Sequence, residues 1–266
     1  MNSKTVGDLL EALRAKRPLV HNITNTVAMD ISANVLLALG ASPAMVMAPE
    51  EVEEFASKAD ALVANIGTLS TSSLNSMRLA AIVMQHESKP WVLDPVACGA
   101  TAFRLAAARG LLALRPTVIR GNAGEIASLA GATGETGKGV DTLLQADLAV
   151  ADAVTLARRS RAIVAITGSV DYVTDGDTTV AIHGGHALMP QVTGLGCALS
   201  ATTAAFLALG ANRFEGTVAA IATFAVAGRR AGEGASGPAS LRQRFIDGLY
   251  NLTPAELVGA AEIEEV

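Results

Sequence analysis

Six short apolar runs recur through the first 168 residues, with helical patterns between them, and this alternation constrains the fold more than any other feature. The runs are "PLVHNI" (18–23), "AMVMA" (44–48), "ALVANI" (61–66), "PWVLD" (90–94), "PTVIRG" (116–121) and "AIVAITG" (162–168). Helical patterns lie near 26–39, 50–58, 71–87, 102–114, 123–131 and 142–159. Runs this short and this apolar suit strands buried on both faces. Linked by helices, such strands build a mainly parallel sheet in an α/β fold. The rhythm changes after residue 168. "DYVTDGDTTVAIHGGHALM" reads as short strands joined by an Asp-Gly turn, so a few antiparallel edge strands are expected. The remainder is helical over 196–209, 214–232 and 238–250, and the acidic end "AEIEEV" reads as a solvated tail. No linker or internal repeat interrupts the 266 residues, so one domain over 1–266 is the simpler reading.

Composition narrows the partners. Half of the residues are hydrophobic, only 17% are charged, and the net charge is −5. The apolar excess is mostly Ala, Val and Leu, which suits tight helix–sheet packing or a surface hidden in an oligomer. There is no basic stripe, and aromatics make up only 3%, so no nucleic acid partner is expected. The apolar windows are too short and too broken for a membrane span. The N-terminal segment is amphipathic and has no cleavage site, so a cytoplasmic location is expected. Cys98 and Cys197 have neither metal nor disulfide-framework spacing, and His21, His86, His183 and His186 lack zinc-ligand company.

In parallel sheets ligands collect beyond the carboxyl ends of the strands. Polar residues stand there repeatedly: Asn25-Thr26, Asn65-Ile66-Gly67-Thr68, Asp94-Pro95, Gly121-Asn122 and Thr167-Gly168-Ser169. Helix capping accounts for many of them, but not for Asp94, Glu125 and the glycines together. Two lookalikes fail. "GLGCAL" lacks the third glycine of a dinucleotide fingerprint. "GATGETGKG" (131–139) has P-loop glycines spaced one residue too far apart and reads as a flexible surface loop.

Four pieces carry chemistry. Gly194, Leu195 and Gly196 open a helix at Cys197, either as a tight turn around a buried small residue or as an anion hole made by unpaired amides and the helix dipole. Asn122-x-x-Glu125 starts another helix, and Glu125 is either the partner in a capping box or a magnesium carboxylate. Arg120 just upstream suits a nucleotide phosphate or a carboxylate. Asp94 places a second carboxylate at the ligand edge, and Thr167-Gly168-Ser169 offers hydroxyl and amide donors. Together they suit phosphoryl transfer, which depends mostly on positioning and charge neutralisation.

These segments resemble the hydroxyethylthiazole kinase family of the ribokinase-like superfamily. "PLVHNITNTVAMDISANVLLALGASPAM", "NIGTL", "LDPVACGATAFR", "IRGNAGEI", "TGSVDYVTDG" and "VTGLGCALSA" follow in the family's order over roughly residues 5–255. The resemblance implies a three-layer α/β/α fold and phosphorylation of the primary alcohol of 4-methyl-5-(2-hydroxyethyl)thiazole by ATP and Mg2+, a salvage step toward thiamine. It also implies a homotrimer with active sites between subunits. The substrate side falls on Asn25, Met45, Gly67 and Gly194, the ATP side on Arg120, Asn122 and Thr167, and the metal side on Asp94 and Glu125. Cys197 stands where sugar-kinase relatives have an aspartate base. Two departures are visible: Leu195 replaces the usual Thr, and Ala97-Cys98 replaces a Gly-Val pair.

A free thiol titrates near pH 8.5. A helix N-terminus lowers that value, whereas ATP phosphates raise it. The expectation is that Cys197 orients the alcohol and takes its proton late, while the amides and magnesium provide most of the acceleration. The rival readings are a kinase for another vitamin precursor or sugar alcohol, an ADP- or ATP-dependent nicotinamide-nucleotide-hydrate dehydratase on the same scaffold, and a nucleotide-binding module without turnover.

Overall fold

The computed structural model describes residues 3–131 and 146–266. Nine strands form one sheet: β1 (Leu19–Ile23), β2 (Ser42–Ala44), β3 (Ala61–Asn65), β4 (Trp91–Asp94), β5 (Val118–Asn122), β6 (Ile163–Thr167), β7 (Asp171–Thr174), β8 (Thr179–His183) and β9 (Glu262–Glu265). Their order is β2-β1-β3-β4-β5-β6-β7-β8-β9, parallel through β6 and antiparallel from β7 onward. The Asp-Gly turn between β7 and β8 forms as read: Asp175 Oδ1 accepts the N–H groups of Asp177 and Thr178.

Side chains alternate across the sheet with period two, which explains why the runs are apolar throughout. In β3, Ala61 and Val63 enter one core while Leu62 and Ala64 enter the other. The first core is covered by α1 (Ser3–Lys16), α2 (Met29–Leu39), α8 (Leu195–Leu207), α9 (Arg213–Glu233), α10 (Pro238–Asn251) and α11 (Pro254–Ala260). The second is covered by α3 (Val52–Lys58), α4 (Thr71–His86), α5 (Ala102–Leu112), α6 (Ala123–Ala130) and α7 (Ala146–Ser160). The result is the expected three-layer α/β/α arrangement.

Three readings need correction. The run at 44–48 is not the strand: β2 is Ser42–Ala44, and the chain leaves the sheet at Met45. There the Val46 carbonyl meets His21 Nε2 at 2.7 Å and the Met47 carbonyl accepts Ser76 Oγ at 2.8 Å, so side chains replace the ladder. The acidic end is not a solvated tail, because Glu262–Glu265 pairs with β8 as an edge strand. α2 starts at Met29, later than expected, because Asn25 Oδ1 holds the preceding turn through Ala28 N–H at 3.0 Å. The P-loop lookalike beyond Gly131, and the start of the 142–159 helix, lie outside the described residues. Among the described residues, no helix is long and apolar enough to cross a membrane.

The strand order reverses between β1 and β3, since the chain goes outward to β2 and returns on the other side of β1. Such a switch point opens a crevice at the carboxyl edge.

Candidate active site

Most of the residues singled out gather at that edge. Asp94, Arg120, Asn122, Glu125, Gly194, Gly196 and Cys197, with Val96, line one cavity of about 220 Å³. Strand register builds it. Asn65 and Asp94 are paired neighbours at the ends of β3 and β4, on the face that α8 covers. Asn122 and Thr167 are paired at the ends of β5 and β6. A larger groove of about 600 Å³ lies elsewhere, between the start of β6, the β7–β8 turn and residues 211–215, and includes none of these groups.

The tip of α8 depends on its glycines. Gly194 has φ +83°, a conformation that costs an L side chain energy, and this bends the chain sharply into the helix. At Gly196 a Cβ would lie 3.0 Å from the Arg120 guanidinium, so a larger residue would push that cation back from the helix tip. The first intrahelical bond runs from Ala198 N–H to the Gly194 carbonyl. The Leu195 amide is drawn back to the Val192 carbonyl at 3.4 Å. Among the described residues, the amides left without a partner in this turn are those of Gly194, Gly196 and Cys197. Of the expected donors Gly194, Leu195 and Gly196, only Leu195 is thus engaged, and Cys197 offers an amide beside them. Leu195 turns its side chain into the core, 4% exposed, so the departure from Thr places no apolar group in the cavity.

Asp94 is fully buried. Its Oδ2 accepts Asn65 Nδ2 and Ser200 Oγ, both at 2.7 Å, while Oδ1 has no partner. Burial pushes its carboxyl up to about 6; the Arg120 charge opposes this and Glu125 reinforces it. A buried carboxylate oxygen left unpaired is costly, so this atom is well placed for a cation.

Glu125 does form the capping box: Asn122 Oδ1 accepts the Glu125 N–H at 2.9 Å, and Glu125 Oε2 accepts the Asn122 N–H at 2.8 Å. Its Oε1 also accepts Ala97 N–H at 2.8 Å. One acceptor site on each oxygen is thus occupied and one stays open. Magnesium takes few protein carboxylates and keeps several waters, so Asp94 Oδ1 with Glu125 fits that ion. Among the described residues, no group of three His, Cys, Asp or Glu forms a metal cluster.

At the ends of β5 and β6, Arg120 donates to Thr167 Oγ1 at 2.5 Å and keeps Nε unpartnered, so it retains capacity for an anion. Asp171 Oδ1 accepts the Gly168 N–H at 3.0 Å and pins the Thr-Gly-Ser turn. On the other side, Asn25 Nδ2 donates to Asn65 Oδ1 at 2.9 Å and to Cys197 Sγ at 3.1 Å. Gly67 N–H joins the same Asn65 oxygen at 2.9 Å. Met45 is half-buried in the segment after β2 and does not line the cavity.

Cys197 behaves otherwise than its helix position suggests. Burial first, and nearby Asp94 second, push the thiol up to about 11; the Asn25 and Asn65 donors and Arg120 oppose this less strongly. At neutral pH the group is a thiol. Cys98 is a core residue whose S–H donates to the Glu125 carbonyl at 3.4 Å.

Sequence reasoning passed over two contributors. Ser200 lies one turn below Cys197 on α8 and faces Asp94, a spacing of i and i+3 that could have been read. Arg104 donates to the carbonyls of Ile66 at 2.8 Å, Val96 at 3.0 Å and Gly67, binding the turns after β3 and β4 together. No local signal marks that role.

Residues 10–255 match the model of the hydroxyethylthiazole kinase family. A hydroxyethylthiazole kinase of Rhizobium etli is 58% identical over 257 residues, covering 96% of this chain and 99% of the relative. Another, of Roseobacter denitrificans, is 52% identical over 94% of this chain and 96% of its own length. Among solved structures, the hydroxyethylthiazole kinase protein from Pyrococcus horikoshii superposes with a TM-score of 0.90 at 40% identity, covering 98% of both chains. A pyridoxal kinase from Staphylococcus aureus, 20% identical with a TM-score of 0.65, shares the fold. By this match in sequence and in architecture, the chain belongs to the hydroxyethylthiazole kinase family.

Proposed function

We propose that this chain transfers the terminal phosphoryl group of ATP to the primary alcohol of 4-methyl-5-(2-hydroxyethyl)thiazole, a step toward thiamine. Family membership and the relatives' names support the reaction. The observation that carries the mechanism is the convergence on one cavity of two free helix-tip amides, the Arg120 cation and the unpartnered oxygen of Asp94.

The alcohol oxygen forms a bond to the γ-phosphorus as the bond between that phosphorus and the ADP oxygen breaks. The amides of Gly196 and Cys197 receive the equatorial oxygens in flight, and Arg120 offsets charge on the phosphate chain. Asp94 and Glu125 would hold Mg2+, which neutralises phosphate charge when bound. Cys197, as a neutral thiol, orients the alcohol. The alcohol proton leaves late, to an oxygen of the transferred phosphoryl group, whose second pKa of about 6 makes it an adequate acceptor. This revises the expectation that sulfur itself takes the proton.

Residues 1–266 form one kinase domain in this reading, and the active assembly is a homotrimer. Val27, 60% exposed and two residues from Asn25, presents apolar surface beside the site, and Leu37, 59% exposed, adds apolar surface farther along α2. A neighbouring subunit covering that surface would complete the substrate side near Met45, whose thioether suits a sulfur-containing ring.

The test is coupled ADP release with the thiazole alcohol, ATP and Mg2+, run beside hydroxymethylpyrimidine, pyridoxal and ribose. The thiazole alcohol should give the highest kcat/KM and a phosphate ester detectable by mass spectrometry. Preference for another alcohol would move the chain to a different kinase activity, and ATP binding with no ADP released would point to a module without turnover. Cys197→Ala should lower kcat by about 10- to 100-fold with ATP binding retained, and Cys197→Asp should remain active.

A further inference from the structure

Two buried amides connect the carboxylate side of the cavity to its sulfur. Asn65, 1% exposed at the end of β3, donates through Nδ2 to Asp94 Oδ2 at 2.7 Å. Its Oδ1 accepts from Gly67 N–H and from Asn25 Nδ2, both at 2.9 Å. Asn25, 7% exposed, accepts the Ala28 N–H on Oδ1 at 3.0 Å and donates to Cys197 Sγ at 3.1 Å.

The direction of this chain is fixed at both amides. A backbone N–H can only donate, so Gly67 and Ala28 identify the oxygens of Asn65 and Asn25. Each NH2 group must then face the other way. Asn25 spends one N–H on Asn65 and the other on Cys197, and the Asn65 amide also faces the sulfur. The sulfur is therefore an acceptor on that side, and its own proton has to point elsewhere. Cys197 lines the cavity, which leaves the cavity as a direction open to that proton. Carboxamides do not pass protons readily along such a chain, so its effect is to orient.

We propose that Asn65 is a positioning residue for the reaction: gripped by Asp94 and Gly67, it aims the Asn25 amide at Cys197 Sγ and leaves the thiol proton to meet the acceptor alcohol. The role in turnover rests on the kinase reading above; the hydrogen-bonded arrangement does not.

The test is a double-mutant cycle of Asn65→Ala and Cys197→Ala in the full chain, with the thiazole alcohol, ATP and Mg2+. Asn65→Ala should lower kcat about tenfold with the KM for ATP unchanged. In the Cys197→Ala background the same change should cost less than about twofold. Losses that multiply across the two substitutions overturn the proposal, as does wild-type kcat in Asn65→Ala.

Asn25→Asp runs beside it in case Asn65→Ala fails to fold. That variant keeps the side-chain shape and the acceptor for Ala28 but loses both N–H donors. It should reproduce the kcat loss, again diminished without Cys197; full activity overturns the proposal. A substrate-free readout separates this proposal from the kinase reading. The Raman S–H stretching band of Cys197, assigned by its loss in Cys197→Ala, should shift in Asn25→Asp. An unmoved band overturns the arrangement. A shifted band in a chain that phosphorylates no thiazole overturns the proposed turnover role and the kinase reading, and leaves the geometry standing.

Discussion

Cys197 shows how strongly surroundings govern a side chain's chemistry. Its place at a helix N-terminus argues for an acidified thiol, yet burial and Asp94 outweigh the helix and hold it as a thiol up to about pH 11. The sign follows directly: deprotonation creates charge in a dry, already negative place. Alkylation by iodoacetamide in the ATP-free chain should therefore be slow at pH 7 and climb about tenfold per pH unit toward pH 10. The Cys197 contribution is the difference from Cys197→Ala. A plateau near pH 7 would mean the helix dipole prevails. Asp94 carries the complementary prediction. Its carboxyl titrates near 6, above the ordinary value, so acid opposes cation binding through this window. The Mg2+ concentration for half-maximal velocity should rise as pH falls from 7.5 to about 5.5. Asp94→Asn should raise it by about tenfold or more even at pH 7.5.

Among the elements, the turn after β4 stores strain that can be relieved. Ala97 has φ +51°, in the left-handed region, and its N–H reaches Glu125 Oε1. An L residue in that conformation costs about 1–2 kcal/mol. Ala97→Gly removes that cost but adds unfolded-state freedom worth about 0.4–1 kcal/mol. A net gain of about 0.5–1 kcal/mol is expected, raising Tm by about 2 °C with kcat unchanged. A lower Tm by calorimetry would count against the strain. The elements also show where sequence legibility ends. β3 and β4 were readable because strands buried on both faces are apolar throughout. β2 was misplaced because the apolar residues after Ala44 are fastened by the His21 and Ser76 side chains, a long-range effect with no local signature. β9 was missed because an edge strand needs few apolar residues, and its Glu262 and Glu264 answer Arg229 and His183 across space.

At the scale of the whole molecule, topology assembles the site. The β1–β3 switch point and the tip of α8 bring together Asn25, Asn65, Asp94 and Cys197, which are scattered over 173 residues of sequence (25–197). Polar residues at strand ends made most of these positions visible in the sequence. Their hydrogen-bond directions, the free amides at 196 and 197 and the clamp by Arg104 arise only on folding. The exposed apolar Val27, Leu37 and Phe103 predict association. Light scattering on the eluted protein should give three times the 27.1 kDa chain mass, whereas a single-chain mass would remove the shared-site reading.

The central claim is that the amides of Gly196 and Cys197 receive the migrating phosphoryl group. A crystal structure with a non-hydrolysable ATP analogue, Mg2+ and the thiazole alcohol tests it directly. The γ-phosphate oxygens should lie within about 3.2 Å of those two amide nitrogens, with the alcohol oxygen against Cys197 Sγ. A γ-phosphate bound away from the tip of α8 would contradict the account.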